Sequence, residues 1–167
     1  MQLSEIWIYP VKSLGGFSVQ QTEVTTRGLK YDRRWMLIDA DNVFVTQRQV
    51  GDLALFKTAI EANTLHVTHS PTGKILSVNI GEYLPDAITV EVWDDEMDAH
   101  EVSEVASAWF SELLGKPVRL VYMPDESLRP VDPQYAQTPE DITSFSDGYP
   151  ILVIGQSSLD DLNNRLE

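Results

Sequence analysis

Two short segments carry the residue types of an anion site. The first, Ile8-Tyr-Pro-Val-Lys-Ser-Leu-Gly-Gly16, puts a rigid proline, a lysine, a hydroxyl and two glycines at the end of an apolar run. Gly15 and Gly16 tolerate positive φ, so successive N–H groups can point the same way, and Lys12 adds a point charge. The second, Arg27-Gly-Leu-Lys-Tyr-Asp-Arg-Arg-Trp35, sets cations just ahead of another apolar run. Adjacent residues entering a strand point to opposite faces, so only one of Arg33 and Arg34 faces a given pocket. An inward arginine grips an oxyanion through two parallel hydrogen bonds, and Asp32 can hold it in place. Each segment also has a plainer reading, a turn with a solvated lysine or a surface salt bridge.

Two further turns are candidates for the same site. Thr46-Gln-Arg-Gln49 adds a cation that either lines the cavity or caps a strand. Ser146-Asp-Gly-Tyr-Pro150 offers backbone N–H groups around Gly148, although turn chemistry alone accounts for Asp-Gly and Tyr-Pro. Other chemistries are poorly supplied. The lysine loop is not a Walker A sequence, and no serine sits in a Gly-x-Ser-x-Gly elbow. His66 and His69 are three apart on a predicted strand and face opposite sides, and Asp94-Asp-Glu-Met-Asp98 reads as a solvated hairpin turn. The sequence contains no cysteine, so it offers no disulfide, thiolate metal ligand or iron–sulfur cluster of its own. The four tryptophans, at 7, 35, 93 and 109, fall at apolar positions and read as core.

Charge narrows the ligand class. The net charge of −14 disfavours nucleic acid, whose phosphates it repels. Residues 1–50 carry six Lys/Arg against five acids, whereas the other 117 carry six against 21. A locally positive region on an acidic protein focuses a small anion. No apolar run is long enough for a membrane span and no signal peptide is visible, which predicts a cytoplasmic protein without a membrane partner.

The elements that position these residues read as strands first and helices later, at a length that suits one domain. Strands are predicted at 3–9, 17–25, 35–38, 43–46, 53–59, 64–68, 75–80, 88–93 and 118–122, with turn residues at Asp39–Asn42 and Ser70–Gly73. Regular spacing of this kind predicts an antiparallel, barrel-like β domain with accessory helices. Val102, Ala106, Trp109 and Leu113 line one helical face, and Gly115 then Pro117 stop it. Residues 125–143 read as a long proline-rich loop, and 151–154 as a short buried strand. A second helix is predicted from Ser157, with Leu159, Leu162 and Leu166 as its stripe. That stripe still runs at Glu167, which suggests a piece of a longer polypeptide.

Taken in order, these segments resemble the N-terminal β-barrel domain of MOSC-domain molybdenum enzymes, the amidoxime-reducing components and their bacterial relatives. The matching pieces are Tyr9-Pro-Val-Lys-Ser13, Gly28-Leu-x-x-Asp-Arg33 with Trp35, Val45-Thr-Gln-Arg-Gln49, Trp109 with Leu114-Gly115, and Ser146-Asp-Gly-Tyr-Pro150 followed by Ser158-Leu-x-x-Leu-Asn-x-Arg-Leu166. The resemblance implies one β-barrel-like domain over 1–167, with the following MOSC domain absent from the chain. It implies a molybdenum cofactor (molybdopterin) between the two domains, with Lys12, Ser13, Arg33, Gly148 and Tyr149 matching contacts to its phosphate and pterin. It chooses Arg33 over Arg34. The family's metal-binding cysteine belongs to the MOSC domain, so the resemblance implies no bound cofactor and no catalysis by this chain alone. In the intact family the activity is reduction of N-hydroxylated compounds, with an electron-transfer reductase or ferredoxin-type partner. Two alternatives stay open: a non-catalytic anion-binding or interaction module, and a sulfurase-type domain that handles the cofactor. Pyridoxal phosphate is associated with MOSC domains as a class, but no lysine here is placed as a convincing Schiff base.

Overall fold

The structure is a computed structural model and describes residues 2–166. It is mostly β with two helices, and its paired strands are all antiparallel. Strand β1 (Ile6–Ile8) pairs with β2 (Phe17–Val19), and β3 (Val24–Thr25) with β4 (Gly28–Leu29). Strand β5 (Trp35–Ile38) belongs to a curled four-stranded sheet with β11 (Arg119–Tyr122), β10 (Asp95–Glu101) and β9 (Ala87–Val92), in the order β5-β11-β10-β9. Strands β6 (Phe56–Glu61), β7 (Thr64–His69) and β8 (Ile75–Asn79) form a three-stranded meander.

Strand β5 is buried on both faces, and its alternation divides the core. Trp35 and Leu37 join one apolar cluster with Phe56, Leu65, Phe110 and Leu120, whereas Met36 and Ile38 join a second with Val90, Met97, Val121 and Phe145. Period-two alternation makes one strand serve both clusters. Helix α1 (Glu104–Leu114) closes the first. Ser103 caps it by accepting from the Ala106 N–H at 3.1 Å, and Gly115 ends it with φ 64°. Phe56 lies between the two layers, with Phe110 at 5.4 Å, Trp109 at 5.7 Å and His69 at 4.7 Å between ring centroids.

The segments of the site are built into this frame by backbone bonds. Arg33 N–H donates to the Tyr9 carbonyl at 2.8 Å, and Lys12 N–H to the Trp35 carbonyl at 2.8 Å. The lysine loop therefore lies alongside the entry to β5. Phe145 N–H donates to the Arg33 carbonyl at 3.0 Å, which brings the third segment beside the other two.

The structure corrects several expectations. Residues 151–154 form no strand, and their side chains are 44–78% exposed, because they lie against no strand among the described residues. Helix α2 (Gln156–Asn164) forms as expected, but buries no residue. The run 43–46 makes only single bridges, Val43 to Glu91 and Phe44 to Ile38, before the chain turns at 47–49. The run 17–25 divides between β2 and β3, and a 3-10 turn over Gly51–Leu55 replaces the start of the strand predicted at 53. The acidic run at 94–98 is mostly strand: exposed Asp95, Glu96 and Asp98 alternate with buried Met97 and Ala99. Trp7 and Trp93 are exposed rather than core. No described helix is long and apolar enough to cross a membrane.

Gly28 fixes a long-range crossing. Its φ is 102°, and a Cβ there would lie 2.4 Å from the Pro150 carbonyl oxygen. Gly28→Ala combines a disallowed backbone with a clash against main chain, so it should cost ~2–4 kcal/mol in urea unfolding. A change below ~0.5 kcal/mol would show that residues 146–150 move aside freely.

Candidate functional site

Lys12 is the buried member of the site. Its Nζ donates to the Phe145 carbonyl at 2.8 Å and to Asp147 Oδ1 at 2.8 Å, and lies 5.1 Å from the centre of the Phe44 ring. The lysine side chain is only 7% exposed and the aspartate 71%. Burial pushes the Lys12 ammonium below its ordinary value, with Asp147 acting in the opposite direction. The partial burial of Asp147 raises its carboxyl, but hydrogen bonds from Lys12 and Trp93 and the charges of Lys12 and Arg48 outweigh it and hold it low. The two ends thus report different balances, desolvation at the lysine and attraction at the aspartate. The largely solvated carboxylate, held below the usual carboxylate range, supplies the charge that offsets the burial of the Lys12 ammonium.

The two arginines separate, but not by strand alternation: Arg33 closes a turn at φ 50°, ahead of β5, and Arg34 follows it into the strand entry. Arg33 pairs with buried Asp32 and lies over the Tyr9 ring at 5.4 Å. Asp32 also accepts from the Tyr9 N–H at 2.8 Å, so one carboxylate fixes both the arginine and the start of the lysine loop. Arg33 feels the charges of Asp147 and Lys12, which places it in the same electrostatic cluster. Arg34 turns away. It bonds the Met123 carbonyl and Asp125, with Tyr122 beneath it at 5.2 Å. Arg33, the arginine that the resemblance selects, pairs with Asp32 and makes no hydrogen bond to Asp147.

The remaining expected residues are placed less directly. Ser13 adopts φ 67°, and its carbonyl accepts from Gln47 Nε2 at 2.8 Å. Gly148 follows Asp147 in open space, and a Cβ there would meet nothing within 4 Å. Tyr149 packs edge-to-face against Tyr135, at 5.9 Å between centroids, on the outer side of the turn. A separate cavity of about 570 Å³, bordered by Phe17, Val19, Tyr31 and Ile60, includes none of the five expected residues.

Sequence reasoning missed three participants. Arg129 is only 2% exposed, and its guanidinium donates to the carbonyls of Ser144, Ser146 and Asp147 while pairing with Asp95. With Lys12, which bonds the Phe145 carbonyl, it gathers the 144–147 turn from inside. A lone arginine between Leu128 and Pro130 in a proline-rich loop was its only signal. Trp93 takes φ 57° in the β9–β10 turn and donates from Nε1 to Asp147 Oδ1 at 3.2 Å. Asp147 itself sits in a motif read for its backbone rather than its carboxylate.

The chemistry available to this arrangement is hydrogen bonding and charge pairing from cations and an indole N–H to an anion. Lys12 and the Trp93 indole bond a mostly solvated carboxylate, next to a glycine that leaves its backbone open, and the charges of Arg33 and Arg48 act on the same cluster. No described group of His, Asp or Glu is arranged to hold a metal.

Two outcomes follow for stability. Arg129→Met leaves three carbonyls and Asp95 without their donor, so stability should fall by ~3–5 kcal/mol and amide exchange at Phe145 should accelerate. Retained protection in NMR exchange would show that the turn is held otherwise. Asp147 is depressed in the folded chain, so its contribution is present above the unfolded value and lost as pH falls through the folded one. Thermal melts from about pH 5 to about pH 2 should therefore fall less steeply for Asp147→Asn. Equal slopes would remove the pair from the acid response.

Comparison with known proteins agrees with the ordered motifs. Residues 1–117 match the family described as the MOSC N-terminal beta barrel domain. The chain is 32% identical over 173 residues to mitochondrial amidoxime-reducing component 1 of Mus musculus, covering 99% of this chain and 51% of the relative. It is 33% identical over 174 residues to the Homo sapiens protein of the same name, with 99% and 51% covered. Molybdenum cofactor sulfurase of Oryza sativa subsp. japonica is 33% identical over 176 residues, with 99% of this chain and 21% of the relative covered. The chain thus spans about half the length of the amidoxime-reducing components and about a fifth of the sulfurase. With its curled antiparallel sheet, its two helices and this match over most of its length, the chain belongs to the MOSC N-terminal β-barrel domain family.

Proposed function

We propose that this chain is the cofactor-facing β domain of a cytoplasmic molybdenum-cofactor-dependent oxidoreductase that reduces N-hydroxylated compounds. The observation that carries the reading is Lys12, an ammonium held out of water beside Arg33, at a position matching the family motif. Lys12 and Arg33 would hold the cofactor's phosphate, Ser13 would add a hydroxyl, and Gly148 and Tyr149 would border the pterin. The donor set suits that end of the cofactor: the cations are fixed by Asp32 and by the Phe145 carbonyl, and Gly148 keeps main chain accessible. It does not suit the metal end, since the sequence has no thiolate to offer.

When bound, the cofactor supplies the two-electron redox couple of the reduction. The chain's own part is to bind and orient. Lys12 and Arg33 neutralise phosphate charge, and Asp32 keeps Arg33 from swinging into water. A following MOSC domain completes the site, and an electron-transfer reductase or ferredoxin-type partner feeds it. The exposed apolar run 151–154 and the unburied helix α2 support a covering domain of that kind. The match to a sulfurase over the same span favours a second reading, a domain that handles the cofactor for sulfur transfer.

The test compares the 167-residue chain with the longer polypeptide proposed to contain it, both made under molybdenum-replete conditions. Only the longer product should carry molybdenum and reduce an N-hydroxylated substrate with a reductase present. Lys12→Met or Arg33→Met should lower its cofactor content about tenfold or more, from loss of a charge-assisted hydrogen bond. Stoichiometric molybdenum on the short chain would overturn the division of labour. Sulfur transfer to the cofactor without reduction would favour the second reading.

A further inference from the structure

The pair at the centre of the site is asymmetric. The cation is enclosed and bonded to a main-chain carbonyl, so it cannot follow its partner into water. The carboxylate is largely solvated and hangs from a turn whose backbone Arg129 holds in place. Its side chain can rotate away without moving the turn. An enclosed ammonium left without an anion is strongly unfavourable, so the low-cost way to open the pair is to exchange one anion for another.

The surroundings of Asp147 Oδ1 extend beyond Lys12. The Trp93 indole N–H donates to the same oxygen at 3.2 Å, from a residue held at φ 57°. A bulky residue with positive φ is a backbone outlier that surrounding contacts must hold in place. Here the Phe44 ring packs edge-on against the indole at 4.9 Å, and the Arg48 guanidinium covers it at 5.2 Å. Arg33 has Asp32 and Arg129 has Asp95 as salt-bridge partners, whereas no carboxylate lies within salt-bridge reach of Arg48 among the described residues. Arg48 is exposed and close enough to act on the charge of Asp147. One carboxylate oxygen thus receives two N–H donors, with two further cations nearby.

We propose that Asp147 is a resident competitor in the anion site: its carboxylate occupies the Lys12–Trp93 donor pair that a ligand phosphate takes on binding, which makes Trp93 and Arg48 binding residues. This rests on the reading of Lys12 and Arg33 as phosphate ligands. It adds Trp93, which no motif names, gives Arg48 of the Thr46–Gln49 turn a part in binding, and sets a threshold that the motifs do not imply. A phosphate group displaces the carboxylate because it offers more oxygen acceptors and more charge to the same donors. Weaker anions, with charge no greater than the carboxylate's, do not. The released Asp147 points to solvent, and Arg48 gains an anion to pair with.

Inorganic pyrophosphate is the probe, titrated into the 167-residue chain by calorimetry at fixed ionic strength. Asp147→Asn keeps the shape and removes the competing charge, so it should bind about tenfold more tightly than wild type. Adding Trp93→Phe should return about threefold to tenfold of that gain, because it removes one donor and keeps the ring. In ¹H–¹⁵N spectra of the Asp147→Asn chain the Trp93 indole resonance should move with saturation, a readout that a purely structural role would not give. Asp147→Ser serves as the second variant if the asparagine chain melts early. Affinity unchanged or weaker in both Asp147 variants, or no binding by either, overturns the competitor while leaving the Lys12 contact to the cofactor untouched. An unmoved indole resonance removes Trp93 from the site and overturns the proposal in its stated form. If Asp147→Asn with Lys12→Met binds as tightly as Asp147→Asn alone, pyrophosphate sits elsewhere, and the underlying anion-site reading falls too.

Discussion

A single enclosed ammonium sets the terms for the rest of the site. Taking Lys12 out of water is costly unless hydrogen bonds and opposite charge replace the lost solvent. The Phe145 carbonyl and Asp147 supply both, and both come from a turn more than 130 positions away in sequence. That turn needs an internal anchor of its own, since its carbonyls would otherwise face the interior unpaired. Arg129 is that anchor, and Asp95 neutralises it from strand β10. One buried charge thus calls up a second, and the acidic partner of the second sits on a sheet strand.

The sheet makes this arrangement rigid where rigidity matters. Strand β5 is enclosed on both faces and receives the lysine loop along its entry. Arg33 and Arg34 stand at that entry and are sent to different partners by the left-handed turn at Arg33. The first goes to the anion cluster, while the second clamps the Met123 carbonyl where the chain leaves β11. Two neighbouring residues of one type therefore have unrelated surroundings, a buried carboxylate in one case and a strand-end carbonyl in the other.

Much of this was legible in the sequence, and the boundary is physical. Alternation and turn residues marked most strands, and the apolar stripe with its Gly115 stop marked α1. The two cation-bearing segments that the motifs singled out lie side by side, joined by main-chain bonds from Lys12 to Trp35 and from Arg33 to Tyr9. What periodicity misses is context. The run 151–154 has the composition of a buried strand, but burial needs a partner surface, which local sequence does not encode. Strand β10 was hidden by its acids, Asp95, Glu96 and Asp98, which mask the buried Met97 and Ala99 between and beyond them. Arg129 gave almost no signal because its role depends on carbonyls 15 to 18 residues further along the chain.

The contact between Gly28 and Pro150 has a consequence for how such domains diversify. Here the main chain of a distant loop rests where a side chain would otherwise stand. Pro150 lies three residues from Asp147, on the same short span. A lineage that enlarges position 28 must therefore reshape the span in the same step, and one that lengthens the span frees position 28 to vary. The two sites are thus coupled by sterics, and a side chain added at the β3–β4 hairpin presses on the span that carries Asp147.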